Sequence, residues 1–459
     1  MSKIIKMIQK IIITIGFLLT TMSFFSQVRN YDETALLFSQ ENIKGTARFT
    51  AMSGAFGALG GNLSAANVNP AGLAIFNNSE ASITLNNSNN GLSSNFYNSK
   101  NTSNDSNLDF TQGGAVLILT NNNTYWSKFA VGINITNVNN FDTNYRIHGN
   151  NNISNENFFT NLNGINYPAL ADSFTNVTSQ SMNNNTYGTN SKTTFTLAAK
   201  YDKYTSFGIS LVSHSIDYTQ RIKINEQSED INNNTFNADF NQELLIYGEG
   251  IGFNFGIITK PFKNLRLGLA YQTPIWYQLT EEYDEIASIN LSNVTETLTE
   301  NYTPNIYDYR LKTPSKITGS LAYIFGKNGL ISFDYNYKNY SKAKLSPTAD
   351  FEGNNTENQS IKDNLTGANE FRIGGEYRLN RLSLRAGYHI EDSPYKNRQE
   401  DVTKGYSLGL GFHIFRNTKL DFSYNNTISK EQHYYLNSPN ATKLDFTKDI
   451  ITATLTLKL

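Results

Sequence analysis

The chain has 459 residues, no cysteine, and 38 basic against 39 acidic side chains for a formal charge of -1. The missing cysteine excludes a disulfide scaffold and any thiolate metal site, and a near-neutral chain without long basic runs excludes a nucleic-acid partner drawn in by a global field. Phe and Tyr are abundant, at 29 and 27, yet the mean hydropathy is only -0.44, which points to β-structure with two chemically different faces.

Residues 1–26 have the layout of a secretory signal peptide: Lys3, Lys6 and Lys10, then an apolar run from Ile11 to Leu19, then small polar residues. The apolar run is shorter than the ~20 residues of a spanning helix. Cleavage near Ser26-Gln27 is expected, placing the mature protein outside the cytoplasm. Residues 27–78 follow, with ARFTAMSGAFGALGGNLSAANVNPAGLAIF at 47–76. This stretch is too small-sided for a core of its own and too apolar for a disordered tail.

From residue 79 onward, polarity alternates with period two. In FRIGGEYRL (371–379), Phe371, Ile373, Tyr377 and Leu379 alternate with Arg372, Gly374, Glu376 and Arg378. In LSLRAGYHI (382–390), Leu382, Leu384, Ala386, Tyr388 and Ile390 alternate with Ser383, Arg385, Gly387 and His389. About fourteen such segments occur, ending in IITATLTLKL. Their connections alternate between short links (202–203, 326–328, 416–417) and long polar stretches (88–109, 139–191, 220–242, 282–310, 344–368, 393–402, 432–446). An even strand count with tight turns on one rim and excursions on the other predicts an all-β, transmembrane antiparallel β-barrel over 79–459. Such a barrel has a lumen to fill, so 27–78 is predicted to sit inside it as an N-terminal hatch or plug.

Three groups of residues are candidates for a site. Alternation turns Arg372, Glu376, Arg385, His389 and His413 toward the lumen. There the arginines either bind a ligand carboxylate or form a salt-bridge network between wall and plug. The long stretch 139–191 carries Phe158, Phe159, Leu162 and Phe174, suited either to a lid or to a docking groove for an apolar ligand. Asn69, Pro70, Ala71, Gly72 and Leu73 form the turn that ends the plug. No nucleophile–base constellation appears, and the histidines stand without the carboxylate or cysteine neighbours of a metal or haem site. No enzyme activity, metal or cofactor is expected.

These residues resemble the FadL/TodX (OMPP1) family of outer-membrane transporters for hydrophobic compounds. The resemblance rests on the small-residue run at 47–61 followed by NPAGLA at 69–74. It is extended by GIGFNFGIITKPFKNLRLGLAYQTP (250–274), TPSKITGSLAYIF (313–325) and FRIGGEYRLNRLSLRAGYHIEDSPY (371–395). It implies a fourteen-stranded barrel closed by an N-terminal hatch in a Gram-negative outer membrane. It also implies passive uptake of fatty acids, hydrocarbons or similar molecules through hatch rearrangement, with Asn69 to Leu73 as hatch residues. Outer-membrane lipid and hydrophobic small molecules are then the partners. The alternative is a non-transporting barrel that binds cargo or a secretion partner at the cell surface.

Overall fold

A computed structural model describes residues 31–459 except 97–98, 122–124, 150–173, 175, 293–297, 302–303, 352–355 and 435–440. The expected signal peptide, and Phe158, Phe159 and Leu162 of the expected groove, lie outside the described residues.

The strands form one closed antiparallel ladder of fourteen spans. They are β1 (Glu80–Phe96), β2 (Ser99–Thr120), β3 (Trp126–Asn140, continued by Thr143–Gly149), β4 (Asn176–Tyr201), β5 (Thr205–Glu229), β6 (Thr235–Phe262) and β7 (Leu265–Gln272, continued by Trp276–Leu291). The remainder are β8 (Asn305–Lys312, continued by Lys316–Phe325), β9 (Gly329–Asn339), β10 (Gly367–Leu379), β11 (Leu382–Glu391), β12 (Thr403–Phe415), β13 (Thr418–Tyr434) and β14 (Ala441–Lys458). Glu80 pairs with Lys458 and Asn95 with Lys443, so β1 and β14 close the cylinder. Closure leaves no row of unpaired N–H and C=O groups facing hydrocarbon.

The alternation behaves as the sequence predicts within the membrane zone. Phe371, Ile373, Tyr377 and Leu379 are exposed on the outer wall, while Arg372, Glu376, Arg385 and His389 are buried inside. His413 keeps its register opposite Lys419 but is exposed, because it lies at the turn end of β12 just before the irregularity ahead of Phe415.

Above this zone the polarity reverses. On β5, Phe207, Ile209 and Leu211 face outward and Ser206, Ser210 and His214 inward; farther along, Ile216, Tyr218, Ile222 and Ile224 face inward and Arg221 and Lys223 outward. Much of the stretches expected as loops, including 88–96, 99–109, 220–229 and 235–242, therefore continues the barrel as strand. The outer face there meets water and the inner face builds an apolar core, in which Ile222 and Ile224 pack with Phe236, Phe240, Ile289 and Phe174. Phe174 thus packs inward, with its ring 5.5 Å from Phe236.

Two prolines interrupt adjacent strands at one level, Pro274 in β7 and Pro314 in β8. Each break is mended by the threonine before the proline. Thr273 Oγ1 accepts from Phe253 N at 2.9 Å, and Thr313 Oγ1 accepts from Ile275 N at 2.8 Å. Each hydroxyl gives a backbone N–H of the interrupted ladder an acceptor.

Inside the barrel lie helix α1 (Tyr31–Ser39), the single turn α2 (Ala47–Thr50) and two 3-10 turns, Leu63–Asn67 and Pro70–Ile75. Such short elements leave most of their backbone groups unpaired. The wall satisfies them with small polar side chains. Ala47 N donates to Thr454 Oγ1 at 2.7 Å, Gly57 N to Asp334 Oδ2 at 2.9 Å, and Asn425 Nδ2 to the Thr50 carbonyl at 2.9 Å. Wall glycines let the plug approach. A Cβ on Gly208 would sit 2.3 Å from backbone atoms of Pro70 and Ala71, and one on Gly256 would sit 1.9 Å from Asn69 Oδ1. Gly→Val at position 256 is expected to leave a folded, heat-modifiable barrel but to push the plug aside, raising ion conductance in planar bilayers above wild type. Wild-type conductance from an intact barrel would contradict the close-contact account.

Candidate functional site: a plugged lumen with an interrupted seam

The NPAG turn is wholly interior. Asn69 caps the second 3-10 turn, its Oδ1 accepting from Ala71 N at 3.1 Å, with Pro70 at the first helical position where a missing N–H costs nothing. Its Nδ2 donates to the Gly57 carbonyl at 2.8 Å within the plug and to the Ile257 carbonyl of β6 at 3.1 Å. Gly61 N, on a backbone with φ +61°, donates to the Gly72 carbonyl at 3.0 Å and brings the two small-residue turns together. Leu73 packs against Leu63, Val116 and Ala130. One asparagine amide thus ties both plug turns to the wall.

A buried ion network pins the plug on the opposite side. Arg48 of α2 donates Nε to Glu376 Oε2 at 2.8 Å and Nη2 to Oε1 at 3.3 Å. Arg385 Nε reaches Oε2 at 2.7 Å, and Arg378 Nε reaches Oε1 at 2.7 Å. Four donors fill the lone-pair sites of this carboxylate. Arg385 also gives Nη1 to Asp421 Oδ1 at 2.7 Å, and its side chain has 0 % exposure. Glu376 and Arg385 therefore link wall to plug and offer no face to a ligand. Arg372 is paired separately, with Glu370 at 2.6 and 2.8 Å. His389 is buried, and its Nδ1 has no partner among the described residues.

Above the plug lies a cavity of about 410 Å³. It reaches from Arg398 and Lys430, near the outer ends of β12 and β13, past Arg372 and Lys338 to Asn139 and Asn140 of β3. Leu36, Leu37, Phe141, Tyr218, Leu444 and Phe446 give it apolar surface beside asparagines, lysines and glutamates. Of the five lumenal residues named from sequence, only Arg372 lines it.

At its β3 end the wall is interrupted. The β2–β3 ladder runs from Thr120↔Lys128 to Gln112↔Thr136 and stops. There β2 bulges at Thr111 and β3 is irregular at Asn137–Asn139 and broken at 141–142. Beyond that point side chains bridge the strands: Asn137 Nδ2 donates to the Phe110 carbonyl at 2.8 Å, and Asn140 Nδ2 to Asp109 Oδ2 at 2.6 Å. Leu108 and Phe110 stand exposed on the outer face beside this seam. Sequence reading passed over the seam because lost pairing is a relation between strands; the Asn137–Asn140 cluster was the visible trace.

A profile described as "Outer membrane protein transport protein (OMPP1/FadL/TodX)" matches residues 34–458. The chain belongs to this family. It is a family of transport barrels and not of enzymes. The fold is similar to that of a FadL homologue from Pseudomonas aeruginosa, with TM-score 0.58 and 14 % identity over 91 % of this chain and 99 % of that one. It is also similar to the toluene transporter TodX of Pseudomonas putida (0.55, 13 %, 92 % and 100 %) and to the toluene transporter TbuX of Ralstonia pickettii (0.51, 14 %, 91 % and 99 %). No curated protein sequence matches the chain. In this FadL-family barrel the network at Glu376 gives a direct test. Glu376→Gln leaves Arg48 and Arg385 under-compensated and is expected to destabilise plug docking by about 3–5 kcal/mol, the usual cost of breaking a buried pair. Trypsin cleavage at buried Lys44 in rising urea reads this directly. Arg48→Met, which leaves Glu376 with two arginines, should shift the same curve less.

Proposed function

We propose that the protein is a passive channel that takes hydrophobic or amphipathic small molecules from the cell surface and delivers them sideways into the outer membrane. The observation that carries this reading is the continuity of the lumenal cavity with the β2/β3 seam. A ligand reaching Asn139 and Asn140 faces a wall held by side chains alone, with the exposed Leu108 and Phe110 beyond it. Opening a seam of a few side-chain bonds, each worth about 1 kcal/mol, is far easier than parting a backbone ladder. The plug blocks the straight path to the periplasmic rim, and leaving water for an apolar site supplies about 25 cal/mol per Å² buried. No step requires ATP.

The mixed lining favours ligands that carry a polar group on an apolar body, long-chain fatty acids among them, over unsubstituted hydrocarbons. Asn69 to Leu73 serve as the plug's anchor and its pivot. The seam is testable because the chain has no cysteine of its own. With Asp109→Cys and Asn140→Cys, oxidation is expected to abolish uptake of labelled dodecanoate into cells and reduction to restore it. Uptake indifferent to oxidation would remove the lateral route. Replacing Asn69–Gly72 with a Gly-Ser run should leave the barrel folded and impair uptake. Gene deletion that left uptake unchanged but stopped protein secretion would favour the cargo-binding reading instead.

A further inference from the structure

One carboxylate of the plug sits among cations of the wall. Glu41, on the non-helical stretch between α1 and α2, accepts from Lys192 Nζ of β4 at 3.0 and 2.9 Å, and His214 Nε2 of β5 lies 3.7 Å away. Lys316 of β8 and Lys338 of β9 face the same cavity as Glu41. Burial pushes the Glu41 carboxyl up, but Lys192, Lys316 and Lys338 outweigh it and hold the group below the usual carboxylate range. The two partners differ in access: the Lys192 side chain is 2 % exposed and that of Glu41 24 %.

The cations Lys192, Lys316 and Lys338 belong to three strands of the wall and the carboxylate belongs to the plug. Any movement that withdraws residues 40–42 therefore leaves Lys192 buried without its counter-ion, a costly state unless another anion takes the place. The same three residues are clasped to the seam. Asn42 Nδ2 donates to Asn139 Oδ1 at 2.8 Å, and Asn139 Nδ2 donates to the Gln40 carbonyl at 2.8 Å.

We propose that Lys192, Lys316 and Lys338, with the His214 ring beside them, form a binding site for the carboxylate-sized anionic headgroup of an amphipathic ligand. Glu41 fills this site as a tethered surrogate. The incoming headgroup displaces it and thereby frees residues 40–42 from Asn139 at the seam. This rests on the uptake reading for its biological purpose, but the site is defined by binding alone. Such exchange is a population shift, set by the difference in affinity of the headgroup for the two plug positions.

The test uses the full-length protein in nanodiscs with two probes of equal chain length, dodecanoate and dodecanol. In the wild type, saturating dodecanoate is expected to raise hydrogen exchange of the amides at 40–46, and dodecanol is not. Glu41→Gln, which empties the site of its charge, should bind dodecanoate roughly tenfold more tightly than wild type with dodecanol unchanged, a typical coupling magnitude. Adding Lys192→Gln should cancel the gain. Equal dodecanoate affinity in wild type and variant, or an equal gain for dodecanol, would overturn the proposal. Should the variant fail to fold, identical exchange at 40–46 with both probes in the wild type would overturn it as well. Cellular uptake is read separately: headgroup-specific binding without uptake counts against transport and leaves the site standing.

Discussion

Backbone N–H and C=O groups that cannot reach water must find partners inside the protein, and this structure meets that demand twice. In the wall the answer is a closed ladder, with β14 returning to β1. In the lumen the answer is chemical, since short helical turns expose many such groups and the inner wall meets them with Ser, Thr, Asn and Asp side chains. The inner face is therefore polar because it solvates a plug. Glycines at the points of closest approach follow from the same contact, as Gly208 and Gly256 show against the NPAG turn.

The places where the ladder is incomplete gain meaning from this. At Pro274 and Pro314 the neighbouring threonine hydroxyls accept from the backbone N–H groups of Phe253 and Ile275, so the wall stays bonded at these breaks. Among the described residues the β2–β3 pairing ends at Gln112 and Thr136, and asparagine side chains hold the strands beyond it. The plug touches that seam through Asn139 and the opposite wall through Arg48 and Glu376. The seam and this anchorage lie on different sides of one inserted segment.

Much of this was legible in the sequence. Period-two alternation in 371–390 gave the faces of Arg372, Glu376, Arg385 and His389, because membrane and lumen impose opposite demands on neighbouring side chains. The small residues of 47–61 and the NPAG turn marked the plug. The strand extensions were not legible: above the membrane both environments change sign, so Arg221 and Lys223 outside and Ile222 and Ile224 inside look like polar loop rather than barrel. His413 keeps its register opposite Lys419 and is exposed because it sits at the turn end of its strand, beyond the plug. Partners were equally out of reach. Alternation says that Arg385 points inward but not that Glu376 and Asp421 already occupy its guanidinium, and nothing near Glu41 in the chain announces Lys192.

The central claim is that ligand occupies the lumen between the plug and the β2/β3 seam. Anomalous diffraction from crystals grown with 12-bromododecanoate locates the ligand's tail end directly. The account predicts bromine density within the barrel, beside Phe141 and Asn140 or in the seam next to Leu108 and Phe110. Bromine confined to the outer apolar belt away from the seam, with the lumen unoccupied at saturating ligand, would contradict it.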